Sequence, residues 1–137
     1  MNEQSAQRVI RATPQAIRTV LLQPAALPDW NPAIHSITGP DHARIGLRYR
    51  VTARGGLSGH LEYREITEDR IGLHFQVQGL REDNWSLLTP QGSVTLVQHG
   101  FSHGGPLAKL LSGAFQGVAE LRLDRLEERT LSGLTAL

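Results

Sequence analysis

A change in hydrophobic period near residue 104 is the feature that most constrains the fold. From residue 34 to residue 101 apolar residues recur at every second position, and turn-forming residues divide the stretch into pieces of strand length. Beyond Gly104-Gly105-Pro106, apolar residues recur at helical spacing for about 20 residues. The pattern predicts an antiparallel sheet followed by one long helix, from about Pro106 to Glu128, whose apolar stripe needs a whole sheet to cover it.

The alternation is clearest over residues 71–77, where four apolar side chains alternate with Gly, His and Gln. Further strands are expected over residues 47–53 and 57–66, around Trp85 and Leu87, and over residues 94–101. For the strand over residues 94–101, two orientations of the side chains remain open. Either Thr95, Val97, His99 and Phe101 point inward, or Val94 and Leu96 do.

The chain before residue 34 predicts a short strand and two helical pieces. A weakly alternating strand over residues 7–12 leads to Thr13-Pro14, which fits a helix N-cap followed by proline in the first turn. That helix is expected to run to about Leu22, with a short helical turn at residues 25–27 after it. The predicted fold class is α+β, with a six- to seven-stranded antiparallel sheet wrapped around a long C-terminal helix.

Size and composition limit the classes of protein that fit. The 137 residues are expected to form one domain, with a core over about residues 6–128 and a frayed tail over residues 130–137. A net charge of +1 disfavours nucleic acid as a partner, and the absence of cysteine removes disulfides, thiolate nucleophiles and iron–sulfur clusters. We expect no cofactor, no metal and no integral membrane segment, a monomer or homodimer, and a cytoplasmic location.

Several short motifs carry a resemblance to a known superfamily. They are the segments 12–14 (Ala-Thr-Pro), 27–32 (Leu-Pro-Asp-Trp-Asn-Pro) and 105–107 (Gly-Pro-Leu), together with Gly46, Gly55, Gly59, Trp85, Leu87, Pro90, Gly92 and Ser93. With the order of elements, they resemble the START and Bet v 1-like (SRPBCC) superfamily, in particular its polyketide cyclase/dehydrase and lipid-transport branch. The resemblance implies a helix-grip fold over about residues 6–128.

The resemblance also implies a cavity between the sheet and the C-terminal helix. Its expected occupant is a small hydrophobic or amphipathic molecule. The residues expected to bind this ligand are Trp30, Tyr49, Leu61, Tyr63, Leu73, Phe75, Trp85, Leu87, Val97, Leu111, Ala114, Phe115 and Val118.

Two other functions remain open at this stage. In a polyketide cyclase or dehydratase-like enzyme, His99 is the expected acid or base and Tyr49 orients a substrate carbonyl. A partner-binding module instead predicts a filled core and an exposed apolar patch. A metal site at His99 and His103 is not expected, because their spacing of four residues crosses from a strand into a glycine-rich turn.

Overall fold

A seven-stranded antiparallel sheet with helices on one face forms the protein. The computed structural model describes residues 2–135. Its elements are β1 (Asn2–Ile10), α1 (Pro14–Leu21), α2 (Leu27–Trp30), β2 (Ile34–Thr38), β3 (Arg48–Ala53), β4 (Ser58–Ile66), β5 (Arg70–Val77), β6 (Leu80–Gln91), β7 (Val94–Gly104), α3 (Pro106–Leu110) and α4 (Val118–Thr135). The predicted fold class is confirmed.

The sheet has the strand order β1-β7-β6-β5-β4-β3-β2. Strands β2 to β7 pair with their neighbours in sequence, and β1 pairs with β7 at the far edge. Helix α4 packs against β1, β7, α1 and α2. The core therefore lies between α4 and the face of the sheet that carries the buried side chains, which we call the inner face.

Local sequence signals explain the first helix. The Thr13 hydroxyl accepts a hydrogen bond from the Ala16 backbone N–H at 3.1 Å, and Pro14 occupies the first turn. Helix α1 ends at Leu21, close to the predicted end, before a 3-10 turn at Pro24–Ala26. The apolar residues Ile17, Val20 and Leu21 are buried, as their helical spacing predicts.

Burial along β7 shows which of its side chains point inward, a question that the sequence leaves open. Thr95, Val97, His99 and Phe101 are buried, and His103 continues the same inward set. Val94 and Leu96 are only partly buried. The strand extends to Gly104, so it carries two histidines into the interior rather than one.

Strand β6 faces the other way from the prediction. Its buried positions are Leu80, Glu82, Asn84, Ser86 and Leu88, so the predicted inward positions of Trp85 and Leu87 are wrong: both side chains are only partly buried, on the outer face.

Glycine explains how the sheet accepts a tryptophan on its outer face. Trp85 pairs in register with Gly72 on one side and Gly100 on the other. A Cβ atom at Gly100 would lie 2.5 Å from Cζ2 of Trp85, so the ring lies directly over that glycine. The Arg70 guanidinium covers the ring at 5.2 Å from its centroid.

The C-terminal helix is interrupted, and the prediction of one helix from Pro106 to Glu128 is wrong in this respect. Residues 111–117 form turns between α3 and α4. Gly113 and Gly117 lie in this segment, and Gly117 has φ of +77°, a left-handed conformation that ends an α-helix. Helix α4 then continues to Thr135, through most of the predicted frayed tail; positions 136 and 137 lie outside the described residues.

We predict that Gly100→Ala lowers the free energy of unfolding by about 1 to 3 kcal/mol, because the new methyl group displaces the Trp85 ring. The matched control is Gly113→Ala, whose Cβ meets no atom within 4 Å and whose effect should be neutral or stabilising. Urea denaturation of the three proteins measures both effects. Equal stability of Gly100→Ala and wild type would show that the ring does not lie over this glycine.

Candidate functional site

A buried polar cluster lies where β6 and β7 meet α4. Glu82, His103 and Arg122 are at most 2% exposed. The sheet register pairs Glu82 with His103, and Arg122 reaches them from α4. Glu82 Oε1 accepts hydrogen bonds from His103 Nε2 and Arg122 Nη2, both at 2.8 Å. Oε2 accepts from Arg122 Nη1 at 3.0 Å and from Asn84 Nδ2 at 2.8 Å.

These contacts keep Glu82 ionised. Burial alone raises the pKa of the carboxyl group, but the charge of Arg122 and the hydrogen bonds from His103 and Arg122 lower it to about 2. The two-pronged contact with Arg122 is the geometry in which a guanidinium binds a carboxylate most strongly. Arg122 also lies 4.4 Å from the centroid of the Phe101 ring. The cluster thus holds one negative and one positive charge in the interior.

His99 belongs to the same cluster and is uncharged at neutral pH. Burial and then the positive charge of Arg122 lower its pKa to about 3. Arg122 Nη1 lies 3.3 Å from His99 Nε2, and Ser86 Oγ lies 3.0 Å from Nδ1. Because a guanidinium only donates, Nε2 accepts and Nδ1 carries the proton that is donated to Ser86. The Trp30 ring packs edge-on against His99 at 6.0 Å between centroids.

An apolar cavity of about 400 Å³ lies beside the cluster, between the sheet and the turn segment that joins α3 to α4. It is lined by Pro32, Ala33, Ala53, Arg54, Gly55, Leu57, Phe75, Val77, Leu80, Leu111, Ala114, Phe115 and Val118. Of the residues expected in its wall, Phe75, Leu111, Ala114, Phe115 and Val118 are therefore present.

The other expected ligand contacts are placed elsewhere. Trp30, Tyr49, Leu61, Tyr63, Leu73 and Val97 are buried in the packed core. Trp85 and Leu87 lie on the outer face, because β6 turns the alternate positions to the interior. Their prediction as cavity residues is therefore wrong.

The structure does not bring His99 and Tyr49 together. Strands β4, β5 and β6 separate the strands that carry them. The Tyr49 hydroxyl donates to the His42 backbone carbonyl, and His99 is enclosed by Ser86, Arg122 and Trp30. Both polar groups already have partners within the protein, which argues against their joint role in catalysis.

A second cavity, of about 710 Å³, adjoins the first at Phe115. Phe115 belongs to the walls of both, and His103 belongs to the wall of the second. The Phe115 and His103 rings meet edge-on, with centroids 4.2 Å apart. The polar cluster is therefore connected to the cavities through His103 and Phe115.

The hydrophobic pattern of the sequence did not predict four residues of the site: Glu82, Asn84, Ser86 and Arg122. On β6 the polar residues occupy the inward positions, so hydrophobic alternation gave the wrong face. One signal was available in α4. Arg122 falls at helical spacing among the buried residues Ala119, Leu123 and Leu126, and a charge within such a stripe needs a buried partner.

Within residues 2–135, no group of three or more histidine and carboxylate side chains is placed to hold a metal ion. Nor does any helix in this range combine the length and apolar composition needed to cross a membrane.

Comparison with known proteins identifies the fold. No protein-family model matches the sequence, and no curated protein is significantly similar to it. A conserved protein from Geobacillus kaustophilus is similar in structure, with a TM-score of 0.75, 15% identity and coverage of 96% of both chains. A protein from Mesorhizobium loti has a TM-score of 0.75, 17% identity and coverage of 96% of this chain and 97% of the other.

A START superfamily protein from Mycobacterium smegmatis is also similar, with a TM-score of 0.73 and 20% identity over 95% of this chain and 97% of the other. The chain therefore has a START-like α+β fold.

We predict that Arg122→Leu lowers the free energy of unfolding by about 3 to 5 kcal/mol, because it leaves the Glu82 carboxylate buried without its cation. The double variant Glu82→Leu/Arg122→Leu should recover at least about 2 kcal/mol of this loss, since no charge then remains unpaired. Arg125→Leu, on the more exposed side of the same helix, is the control and should change stability by less than about 1 kcal/mol. Denaturant unfolding measures these changes. If the double variant loses as much stability as Glu82→Leu and Arg122→Leu lose together, the pairing is contradicted.

A second prediction concerns acid. His99 has a pKa of about 3 in the folded protein and an ordinary value of 6.5. Between these values the unfolded chain binds a proton that the folded protein does not, so stability falls as pH falls. From pH 6.5 to pH 4.5, wild type should lose about 2 kcal/mol more than His99→Gln. The lowered pKa of Glu82 affects the free energy of unfolding mainly below pH 4.5. Equal losses in the two proteins would show that His99 does not resist protonation.

Proposed function

We propose that the protein binds a small hydrophobic or amphipathic ligand in the apolar cavity between the sheet and the segment that joins α3 to α4. The observation that carries the proposal is the cavity itself, about 400 Å³ in volume and walled mainly by apolar side chains. Ligand sites of this kind are concave, largely apolar and commonly a few hundred cubic ångströms in size. The START-like fold supports the same proposal, because it places a sheet and a long helix around an interior space.

Catalysis of the polyketide cyclase/dehydrase type has weaker support. His99 is neutral, enclosed and hydrogen-bonded at both ring nitrogens, so it lacks the free position that a general acid or base needs. Three strands lie between Tyr49 and His99, and the Tyr49 hydroxyl is hydrogen-bonded to the backbone. A partner-binding module is also less well supported, because the large exposed apolar residues are spread over β1, the loop before β3, α3 and the two ends of α4: Val9, Ile45, Leu110, Leu121 and Leu134.

The ligand-binding proposal predicts uptake of an environment-sensitive apolar dye by the wild-type protein. Ala114 is exposed and belongs to the wall of the cavity, so we expect the indole of Ala114→Trp to obstruct it. This variant should weaken dye binding at least about tenfold. Ala25→Trp, at an exposed alanine outside the cavity wall, is the matched control and should bind the dye as wild type does.

Fluorescence titration of the three proteins measures the affinities, and circular dichroism checks that each is folded. The proposal fails if wild type takes up no dye, or if a folded Ala114→Trp protein binds it with unchanged affinity and stoichiometry.

A further inference from the structure

The two cavities beside Phe115 differ in chemistry. The first is walled mainly by apolar side chains. The second is lined by Phe101, His103, Phe115 and Gly117 and by the polar residues Glu3, Gln4, Ser5, Ser112, Gln116 and Glu120. A molecule that spans both cavities would place an apolar body in the first and a polar end in the second.

His103 lines the second cavity and carries a buried ring nitrogen without a hydrogen-bond partner among residues 2–135. Its side chain lies in the wall, yet the residue is only 2% exposed. Nε2 contacts Glu82 Oε1 at 2.8 Å, whereas the buried Nδ1 has no hydrogen-bond partner among residues 2–135. A buried polar atom without a partner is unfavourable, so a ligand group that supplies the missing partner gains affinity.

The neighbours of His103 determine what Nδ1 can bind. The ionised Glu82 carboxylate only accepts hydrogen bonds, so the proton of the ring lies on Nε2. With the ring proton on Nε2, Nδ1 keeps a lone pair, which accepts a hydrogen bond from a donor.

Phe115 stands between His103 and the apolar cavity. Its ring meets the His103 ring at 4.2 Å between centroids and an interplanar angle of 70°. Its backbone carbonyl accepts a hydrogen bond from Gln4 Nε2, which ties this segment to β1. Phe115 belongs to the walls of both cavities and therefore lies between them.

We propose that the ligand is an amphipathic molecule with a terminal hydroxyl group, whose apolar body fills the first cavity and whose hydroxyl donates to Nδ1 of His103 past a displaced Phe115 ring. This inference rests on the proposed ligand-binding function and adds the chemical class of the ligand. A carboxylate end is disfavoured, because Glu3 and Glu120 line the second cavity and the charge of Arg122 is already neutralised.

The test compares 1-decanol, its methyl ether and decanoate as competitors of the bound dye. The alcohol and the ether have similar apolar bodies, but only the alcohol donates a hydrogen bond. Wild type should bind 1-decanol about fivefold more tightly than the ether, the ratio that one net hydrogen bond gives. Decanoate should bind more weakly than 1-decanol.

His103→Phe is the matched variant, because it keeps an aromatic ring beside Phe101 and Phe115 while removing Nδ1. It should bind the alcohol and the ether equally. Because the variant also removes one hydrogen bond from Glu82, a second measurement uses the wild-type protein. In nitrogen-15 NMR spectra of the histidine rings, His103 Nδ1 should be unprotonated and should shift when 1-decanol, but not the ether, is added.

The outcomes separate the two proposals. Equal affinities of alcohol and ether in wild type, a preference that survives in folded His103→Phe, or a His103 Nδ1 signal unchanged at saturating 1-decanol would each overturn the hydroxyl assignment while leaving the apolar cavity as a binding site. If neither the dye nor any of the three compounds binds, the proposed function itself fails and the hydroxyl assignment with it.

Discussion

The ion pair between Glu82 and Arg122 is the interaction on which the arrangement of the interior depends. It joins β6 to α4 through two hydrogen bonds between fully buried groups. Replacing such a pair by apolar residues is often neutral for stability, whereas breaking it is strongly unfavourable. We therefore interpret it as a constraint on position. In this interpretation the ion pair favours the register of α4 that brings Arg122 to Glu82.

That constraint organises the surrounding polar groups. Burial keeps the His99 ring neutral, and the charge of Arg122, which donates toward that ring, adds to this effect. The ionised Glu82 orients His103 through Nε2. Among residues 2–135 the cluster satisfies most of its own hydrogen bonds but leaves Asn84 Oδ1, Arg122 Nε and His103 Nδ1 without a partner. Of these three residues, only His103 lines the second cavity. The proposed ligand occupies the apolar cavity under the segment before α4. Its polar end binds His103 Nδ1, which lies behind Phe115.

The sequence predicted the parts of the fold in which hydrophobic period and burial agree. Residues 71–77 alternate cleanly and form β5, and the Thr13-Pro14 cap begins α1 at the expected residue. The prediction failed where burial follows a partner distant in sequence. Glu82 is inside because Arg122, 40 positions later, neutralises it, and Trp85 is outside, where Gly100 leaves room for its ring. The candidate site was missed for the same reason, since its members are brought together only by sheet register and helix packing.

Native mass spectrometry of the protein purified from its own host tests the central claim most directly. The account predicts a fraction of wild-type protein that carries one copurified small molecule, apolar in composition and containing a hydroxyl group, which is absent from the Ala114→Trp protein prepared in the same way. Wild-type protein that is bare, and that remains bare after incubation with amphipathic alcohols, would contradict it.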